Sequence, residues 1–561
     1  RGLGDVYKRQ ILLIPMNTRN TISAGCLVLS MLTAMAAETT FKVTKHYLNI
    51  PVSHKCERVR FNVEIPGESP MPLDIRLASD HPDYWVFADL SAYKGKKIKV
   101  FYPDNLKGID KIYQADTIRG GADFYKEKNR PQFHFTTRNG WINDPNGLIW
   151  NDGEYHLFYQ HNPYERDWGN MHWGHAVSPD LVHWKELPVA LRPDTIGTMF
   201  SGSAIIDYEN TSGFGKSGTS PMVVAYTADG DKGQRQCIAY SLDNGRTFKK
   251  YDGNPVIDSG KKWNTRDTRD PKVFRYGDHW VMVLNERDGH SIYTSNNLKD
   301  WTYSSHVTGF WECPELFELP VDGNPDNTMW VMYGASGTYM LGDFDGYTFT
   351  PRSGKHVFTA GTGYAAQTFN NIPVSDGRRI QIGWSRIGHP GMNFNGMMLM
   401  PVELKLQTGK EGPRLVSNPV REVEAICESK GKWSGLTQQE AEDILRGFSG
   451  FEDGLRVKVT FALSHATDAS LSLADQRLVD YDMNGTRLNG YFYSPQDPTS
   501  MELTTDIWID RTSAEVFVDG GVFSYSMPRD LPANPAPFSI RGNNLKIKEL
   551  EIYTIPSIWE N

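Results

Sequence analysis

Three acidic residues stand out by their C-terminal neighbours. Asp144 and Asp270 each precede a proline, and Glu312 precedes Cys313-Pro314. An isolated Asp-Pro is ordinarily a turn or a strand cap. Here the three acids fall at matching points of a degenerate repeat, each at or just before the start of a strand-like segment. Two carboxyl groups facing each other across a glycosidic bond can cut it. One, ionised, attacks the anomeric carbon or activates water; the other, protonated, hands its proton to the leaving oxygen. A third carboxylate can hold sugar hydroxyls. Three acids in one funnel also repel one another, which raises at least one pKa.

The elements that must bring these acids together are strands. Five times, a polar or turn-forming segment leads into a strand that turns into a second, aromatic or aliphatic one. The paired segments are 144–150 with 155–159, 201–206 with 222–226, 270–274 with 279–283, 313–317 with 329–333, and 364–369 with 379–384. Their spacing, roughly 45–70 residues, suits four-stranded propeller blades with variable loops. Five units predict a five-bladed β-propeller over 125–412. The first strand of each blade then lines the channel, and the acids at those strand starts converge at one mouth. Flanking zones alternate apolar and polar residues, as in Phe61-Asn62-Val63-Glu64-Ile65 and Leu455-Arg456-Val457-Lys458-Val459. They predict a small N-terminal β domain over 38–122 and a β-sandwich over 420–561. The one clear helical stretch runs from Thr437 to Leu445. The fold class is all-β.

Composition narrows the function. With 39% hydrophobic and 12% aromatic residues in 561, the chain can bury large cores. A net charge of −8 leaves no basic excess for phosphates, so no nucleic-acid partner is expected. Fifteen Trp and 26 Tyr provide flat faces suited to sugar rings. Residues 1–15 precede the first Met and read as an assembly or translation artefact. Residues 16–37 read as a secretory signal: Arg19 is the positive residue, 22–32 the short apolar run, and Ala34-Met35-Ala36 a small-x-small cleavage site. That run is too short to span a bilayer. A secreted or periplasmic protein is expected, with cell-surface association open. Cys26 precedes most of the apolar run, which makes it a poor lipid-anchor site.

Cys56, Cys237, Cys313 and Cys427 are scattered, so neither a zinc site nor a disulfide framework is indicated. His156, His161, His172 and His175 lie close in sequence, and ordinary hydrogen-bonded histidines account for them better than a metal site. No Walker, Rossmann or phosphate-cradling loop is present, and no cofactor or metal is expected.

The motifs together resemble one family. Trp141-Ile142-Asn143-Asp144-Pro145-Asn146-Gly147, Phe200-Ser201-Gly202-Ser203, Arg269-Asp270-Pro271 and Glu312-Cys313-Pro314 are similar, in order and separation, to the motifs of glycoside hydrolase family 32, the invertases, inulinases and levanases. Asp510-Arg511-Thr512-Ser513-Ala514-Glu515-Val516-Phe517 resembles that family's sandwich signature. The likeness implies a retaining β-fructosidase acting on β-fructans or sucrose. It implies Asp144 as nucleophile, Glu312 as acid/base, and Asp270 with Arg269 as transition-state stabilisers. Asn143, Gln160, Trp168, Phe200 and Ser201 match substrate-binding positions; Trp384 is read as either pocket or core. Cys313 is expected to pack beside the acid, since no base partner for a thiolate is visible. Two places depart from the family pattern. Thr362-Gly363-Tyr364-Ala365 lacks the acid common before its aromatic, and Glu315 stands where Asp is common. A fructosyltransferase and a non-catalytic fructan-binding protein are the alternatives. Exo attack is preferred to endo; linkage preference, the N-terminal domain's role and the oligomeric state are left open.

Overall fold

The computed structural model describes residues 37–216, 218–451, 453–464, 466–494, 501–529 and 537–559. The expected artefact, the signal segment, Cys26 and the cleavage site at 34–36 lie outside them. Strands dominate throughout. Among the described residues, no helix is long and apolar enough to cross a membrane.

The N-terminal region forms two sheets. One pairs Ala37–Lys42, Lys97–Tyr102, Val59–Glu64 and Met71–Ile75; the other pairs Tyr84–Asp89, Tyr47–Val52 and Tyr113–Ala115. Alternation decides the faces. Ile50, Val52, Phe61, Leu73, Ile75 and Val86 point inward into one core, while Arg60, Asn62 and Asp74 on the same strands point out.

In the middle region each repeat segment is an antiparallel strand pair, extended by further strands into a sheet. The first sheet runs Gly140–Asn151, Glu154–Asn162, His172–Ser178 and Lys185–Leu191. The second runs Thr198–Ile206, Met222–Gly230, Gly233–Ser241 and Lys249–Lys250, and the third Thr268–Tyr276, His279–Glu286, Gly289–Ser295 and Thr302–Thr308. The fourth is Glu315–Val321, Asn324–Tyr333, Thr338–Phe344 and Phe349–Pro351. One parallel pair, Val321 with Leu406, joins it to a fifth unit of Gly363–Thr368, Arg379–Ser385, Val402–Gly409 and Gly412–Pro419. That last strand carries the unit to 419, past the boundary expected at 412.

Consecutive sheets pack face to face. Ile149, Phe158, Trp173 and Met199 meet Tyr226 and Ala239 between the first two. Ile205 and Val223 meet Val273, Trp280 and Met282 between the next two. Val281 and Ile292 meet Leu316, Met332 and Phe344. A last cluster joins Phe317 and Tyr333 of the fourth, Ile380 and Ile382 of the fifth, and Leu148 and Leu157 of the first. Strands buried on both faces explain the near-continuous apolar runs, such as His279–Glu286, which is buried along its whole length. Late in the chain, Phe394–Asn395 adds in parallel to the free edge of Gly140–Asn151.

The C-terminal region has a seven-stranded and a five-stranded sheet around one shared core, including Val457, Val459, Leu471, Ile507, Val516 and Ile552. The helix is Gln438–Arg446, opened by a capping box between Thr437 and Glu440. The middle and C-terminal regions are welded together. Thr359–Gly361 adds in parallel to Phe523–Pro528. His134, fully buried, places Nδ1 2.7 Å from Asp510 Oδ2 and Nε2 2.6 Å from Glu515 Oε1. Burial works against the imidazolium, but the two carboxylates prevail and push the His134 pKa up to about 9.

A pKa raised on folding stabilises below the unfolded value, near 6.5 for His, and the contribution fades as pH rises through the folded value. His134→Gln is therefore expected to lower the thermal midpoint most near pH 6, with the deficit shrinking as pH climbs from about 6.5 and largely gone above about 9. A deficit independent of pH between 6 and 10, measured by calorimetry, would assign His134 a packing role only.

Candidate active site

The first strands of the sheets do not keep regular register near the acids. Pairing breaks between Ile142 and Pro145, Met199 and Gly202, Arg269 and Lys272, and Tyr364 and Gln367. The residues released are Asn143-Asp144, Phe200-Ser201, Asp270-Pro271 and Ala365-Ala366. A bulge turns a side chain out of the alternation that pairing would impose, and proline removes a ladder donor where the ladder is already broken. The fourth sheet solves the same problem differently. Glu312 and Cys313 are both left-handed, at φ 52° and 43°, just ahead of the strand at Glu315; Asp270 is left-handed too, at 64°. Such conformations cost non-glycine residues about 1–3 kcal/mol each and persist where surroundings fix them. Here hydrogen bonds do so. The Asp270 amide donates to Thr227 Oγ1 at 3.0 Å, the Glu312 amide to Asn285 Oδ1 at 2.8 Å, and the Cys313 amide to Asp270 Oδ2 at 3.0 Å.

Asp144, Asp270 and Glu312 are brought together around Cys313. Cys313 Sγ lies 3.8 Å from Asp144 Oδ2 and 3.7 Å from Asp270 Oδ2, and Glu312 is the neighbouring residue. Asp144 accepts from Ser201 Oγ at 2.7 Å and from Asn143 Nδ2 at 3.2 Å. Gln160 completes this polar wall, donating through Nε2 to Ser201 Oγ at 2.7 Å and accepting from Asn143 Nδ2 at 3.4 Å. Glu312 Oε1 accepts from Arg269 Nη2 at 2.5 Å, and its Oε2 accepts from the Tyr364 hydroxyl at 2.5 Å. Arg269 also reaches Asp267 and Gln234, at 3.0 and 3.2 Å.

Burial dominates the electrostatics. It raises Asp270 to about 7, with the nearby charges of Glu312 and Asp144 adding and Arg269 opposing. Burial also drives the Cys313 thiol well above its ordinary range, reinforced by Asp270, Asp144 and Glu312. A thiol so placed is a poor nucleophile. Burial and the Glu312 carboxylate together raise Tyr364, keeping its hydroxyl a donor.

Aromatic rings lie beside the cluster. Trp168, 38% exposed, meets Phe200 edge-on at 5.9 Å. Trp311, 42% exposed, lies 5.3 Å from the Arg269 guanidinium. Trp141 and Trp384 sit 6.0 Å apart, and Tyr364 is 6.5 Å from Trp384. Of the nine residues singled out from sequence, hydrogen bonds and ion pairs link Asn143, Asp144, Gln160, Ser201, Arg269, Asp270 and Glu312 into one cluster, while Trp168 and Phe200 meet each other beside Ser201. Trp311, Asn285 and Thr227 were not anticipated in it, and Tyr364 was singled out only as the aromatic of a departing loop beside the pocket. Trp311 had a signal available, being adjacent to Glu312. Asn285 had none, because it arrives through its sheet pairing with Arg269.

The neighbouring histidines are buried and hydrogen-bonded. His156 Nδ1 is 3.0 Å from His175 Nε2, His161 Nδ1 is 2.8 Å from the Trp141 carbonyl, and His172 bonds the Asn170 carbonyl. Burial lowers His156 and His161 to about 4 and His172 to about 3, so all are neutral near pH 7. Among the described residues no group of three or more His, Cys, Asp or Glu is arranged to hold a metal.

The glycosyl hydrolases family 32 N-terminal domain model matches residues 134–419. The levanase of Bacillus subtilis (strain 168) is 40% identical over 493 residues, covering 78% of this chain and 72% of the relative. The extracellular exo-inulinase of Aspergillus niger is 33% identical over 521 residues, covering 78% and 96%. The crystal structure of the exo-inulinase from Aspergillus awamori superposes with a TM-score of 0.67 at 30% identity, covering 78% of this chain and 100% of that one.

Cys313 is expected to resist alkylation by iodoacetamide at pH 8 in the native protein and to label readily once unfolded, by peptide mapping. Rapid native labelling would contradict the charge-suppressed thiol.

Proposed function

The chain belongs to glycosyl hydrolases family 32, and on that premise we propose that it is a retaining β-fructosidase releasing fructose from β-fructans such as levan and inulin, or from sucrose. One observation carries the reading: acids from separate sheets, Asp144 and Glu312, stand around the same Cys313 corner. Asp144, bonded by Ser201 and Asn143 in its charged form, attacks the anomeric carbon and forms a fructosyl-enzyme. Glu312 protonates the leaving oxygen, then takes a proton from the incoming water. Arg269 holds its Oε1 by a hydrogen bond at 2.5 Å. A substrate seated over Glu312 strips water from it and favours the proton the first step needs. Asp270 and Arg269 hold ring hydroxyls and the charge of the oxocarbenium-like transition state. Asn143, Gln160 and Ser201 fix hydroxyls, and Trp168 and Phe200 give the sugar an apolar wall.

The same reading takes the middle region as a five-bladed β-propeller, with the C-terminal sheets as a β-sandwich and the N-terminal sheets as a separate small domain. Its support is the five four-stranded units, packed face to face in sequence with the fifth against the first. Export to the periplasm or the medium goes with the signal-like segment at 16–37 and with relatives named extracellular.

Product chromatography from levan, inulin and sucrose tests the activity. Fructose alone supports exo attack, a ladder of oligomers supports endo attack, and no release from any of them refutes the hydrolase. Asp144→Asn is expected to cut turnover by roughly four orders of magnitude or more while leaving the thermal midpoint nearly unchanged. Normal turnover in that variant would remove Asp144 from its role. Glu312→Gln should slow substrates with poor leaving groups far more than activated aryl fructosides, since only the former depend on protonation. Equal slowing of both would count against Glu312 as the acid.

A further inference from the structure

Trp168 does not hold its own position. It rides on the connection 163–171 between the strands Glu154–Asn162 and His172–Ser178 of the first sheet. The base of this loop is tied within the middle region. Asn162 Nδ2 donates to the Asp167 carbonyl at 2.8 Å, the Arg166 guanidinium to the Met392 carbonyl at 2.5 Å, and Asn395 Nδ2 to the Arg166 carbonyl at 3.0 Å. Its crown is gripped from the other side, by the N-terminal sheets. Glu165, whose side chain is fully buried, accepts from the Arg76 amide at 2.8 Å, from Arg76 Nη1 at 2.9 Å and from Arg58 Nη2 at 2.5 Å. Arg76 Nη1 also donates to Asp167 Oδ2 at 2.7 Å. The Asn170 side-chain amide is clasped by the backbone of Asp74, accepting from its N–H at 2.7 Å and donating to its carbonyl at 2.8 Å. The Arg166 backbone amide donates to the Tyr84 hydroxyl at 3.2 Å.

These contacts bracket Trp168. Asp167 immediately before it and Asn170 two residues after it are both bound by N-terminal residues, and Asn170 and Gly169 have positive φ, 43° and 152°. Gly and Asn adopt such φ readily, so the loop backbone alone does not fix the ring and contacts from outside the loop must. A buried carboxylate held by two arginines adds little net stability, since desolvation offsets the attraction. Its attested use is to fix one arrangement over others. We propose that the N-terminal β region is a specificity element of the active site. Through Arg58, Arg76 and the Asp74 backbone acting on Glu165, Asp167 and Asn170, it positions Trp168 against the sugar. Arg58 and Arg76 are thus positioning residues, reaching substrate only through the loop. This rests on the assignment of Trp168 as a pocket wall.

A double-mutant cycle in the full-length protein tests it, with steady-state kinetics on sucrose and levan. Arg76→Ala is expected to raise KM about tenfold with kcat within about twofold, and Arg76→Lys to recover most of that loss. Trp168→Ala should raise KM by at least as much. With Trp168 already removed, Arg76→Ala should add less than about twofold, because both changes act on one contact. Arg58→Ala, which leaves Glu165 one arginine, provides the same comparison should Arg76→Ala fail to fold. If Trp168→Ala raises KM but the arginine variants do not, or if their effects multiply independently, the N-terminal inference falls and the pocket assignment stands. If Trp168→Ala leaves KM unchanged, the pocket assignment falls and takes the inference with it.

Discussion

Three carboxylates gather around one residue, Cys313, and one guanidinium lies between two of them. Arg269 bonds Glu312 directly and stands 3.9 Å from Asp270. Without that cation, burial and mutual repulsion would oppose ionisation of all three acids at once. With it, the charge is distributed unevenly. Asp144 is served by neutral donors, Glu312 by a cation and a phenol, and Asp270 is raised to about 7 by burial. Chemically similar side chains thereby meet different partners, a condition for acid–base and nucleophilic roles to separate in one site.

That distribution depends on a backbone bent against its own pairing rules. Regular strands would point alternate residues to opposite faces, and neither Asp144 nor Asp270 would reach the cluster in company with its sequence neighbour. The register breaks in four inner strands and the left-handed turn at Glu312-Cys313 give up ladder hydrogen bonds and local comfort. The face-to-face packing of consecutive sheets behind them is what tolerates this. Strands buried on both faces leave no room for the bulges to relax.

The three regions meet through two buried charged groups, His134 and Glu165. His134 ties the middle region to Asp510 and Glu515 in the C-terminal sheets, and Glu165 ties it to Arg58 and Arg76 in the N-terminal ones. Within the middle region, Lys272 pairs with Glu315 at 2.9 Å, two residues beyond Asp270 and three beyond Glu312. Each pair fixes a relative placement more than it adds stability, because buried charges without their partners are strongly unfavourable. The Glu at 315, read from sequence only as a departure, serves one of these pairs.

The chain's own pattern determined a good deal: that it is built from strands, where the paired strands of each repeat lie, that a capped helix starts at Thr437, and which three acids belong together. These are local properties. Alternation, turn residues and capping boxes act over a few positions, and the repeat multiplies them into a recognisable signal. What only the tertiary structure decided is which partners each acid has. Tyr364 looked like a loop variation, and it is the residue whose hydroxyl reaches Glu312. Asn285 and Thr227 support strained residues that are remote from them in sequence. Trp168 matched a pocket position, but the restraint on it comes from Arg58 and Arg76, about a hundred positions earlier. Such contacts are made by sheet pairing and region packing, and a few ångströms between side chains leave no trace in sequence spacing. Residue types set what chemistry was available; the pairing register and the packing of separate regions set each group's charge, orientation and restraint.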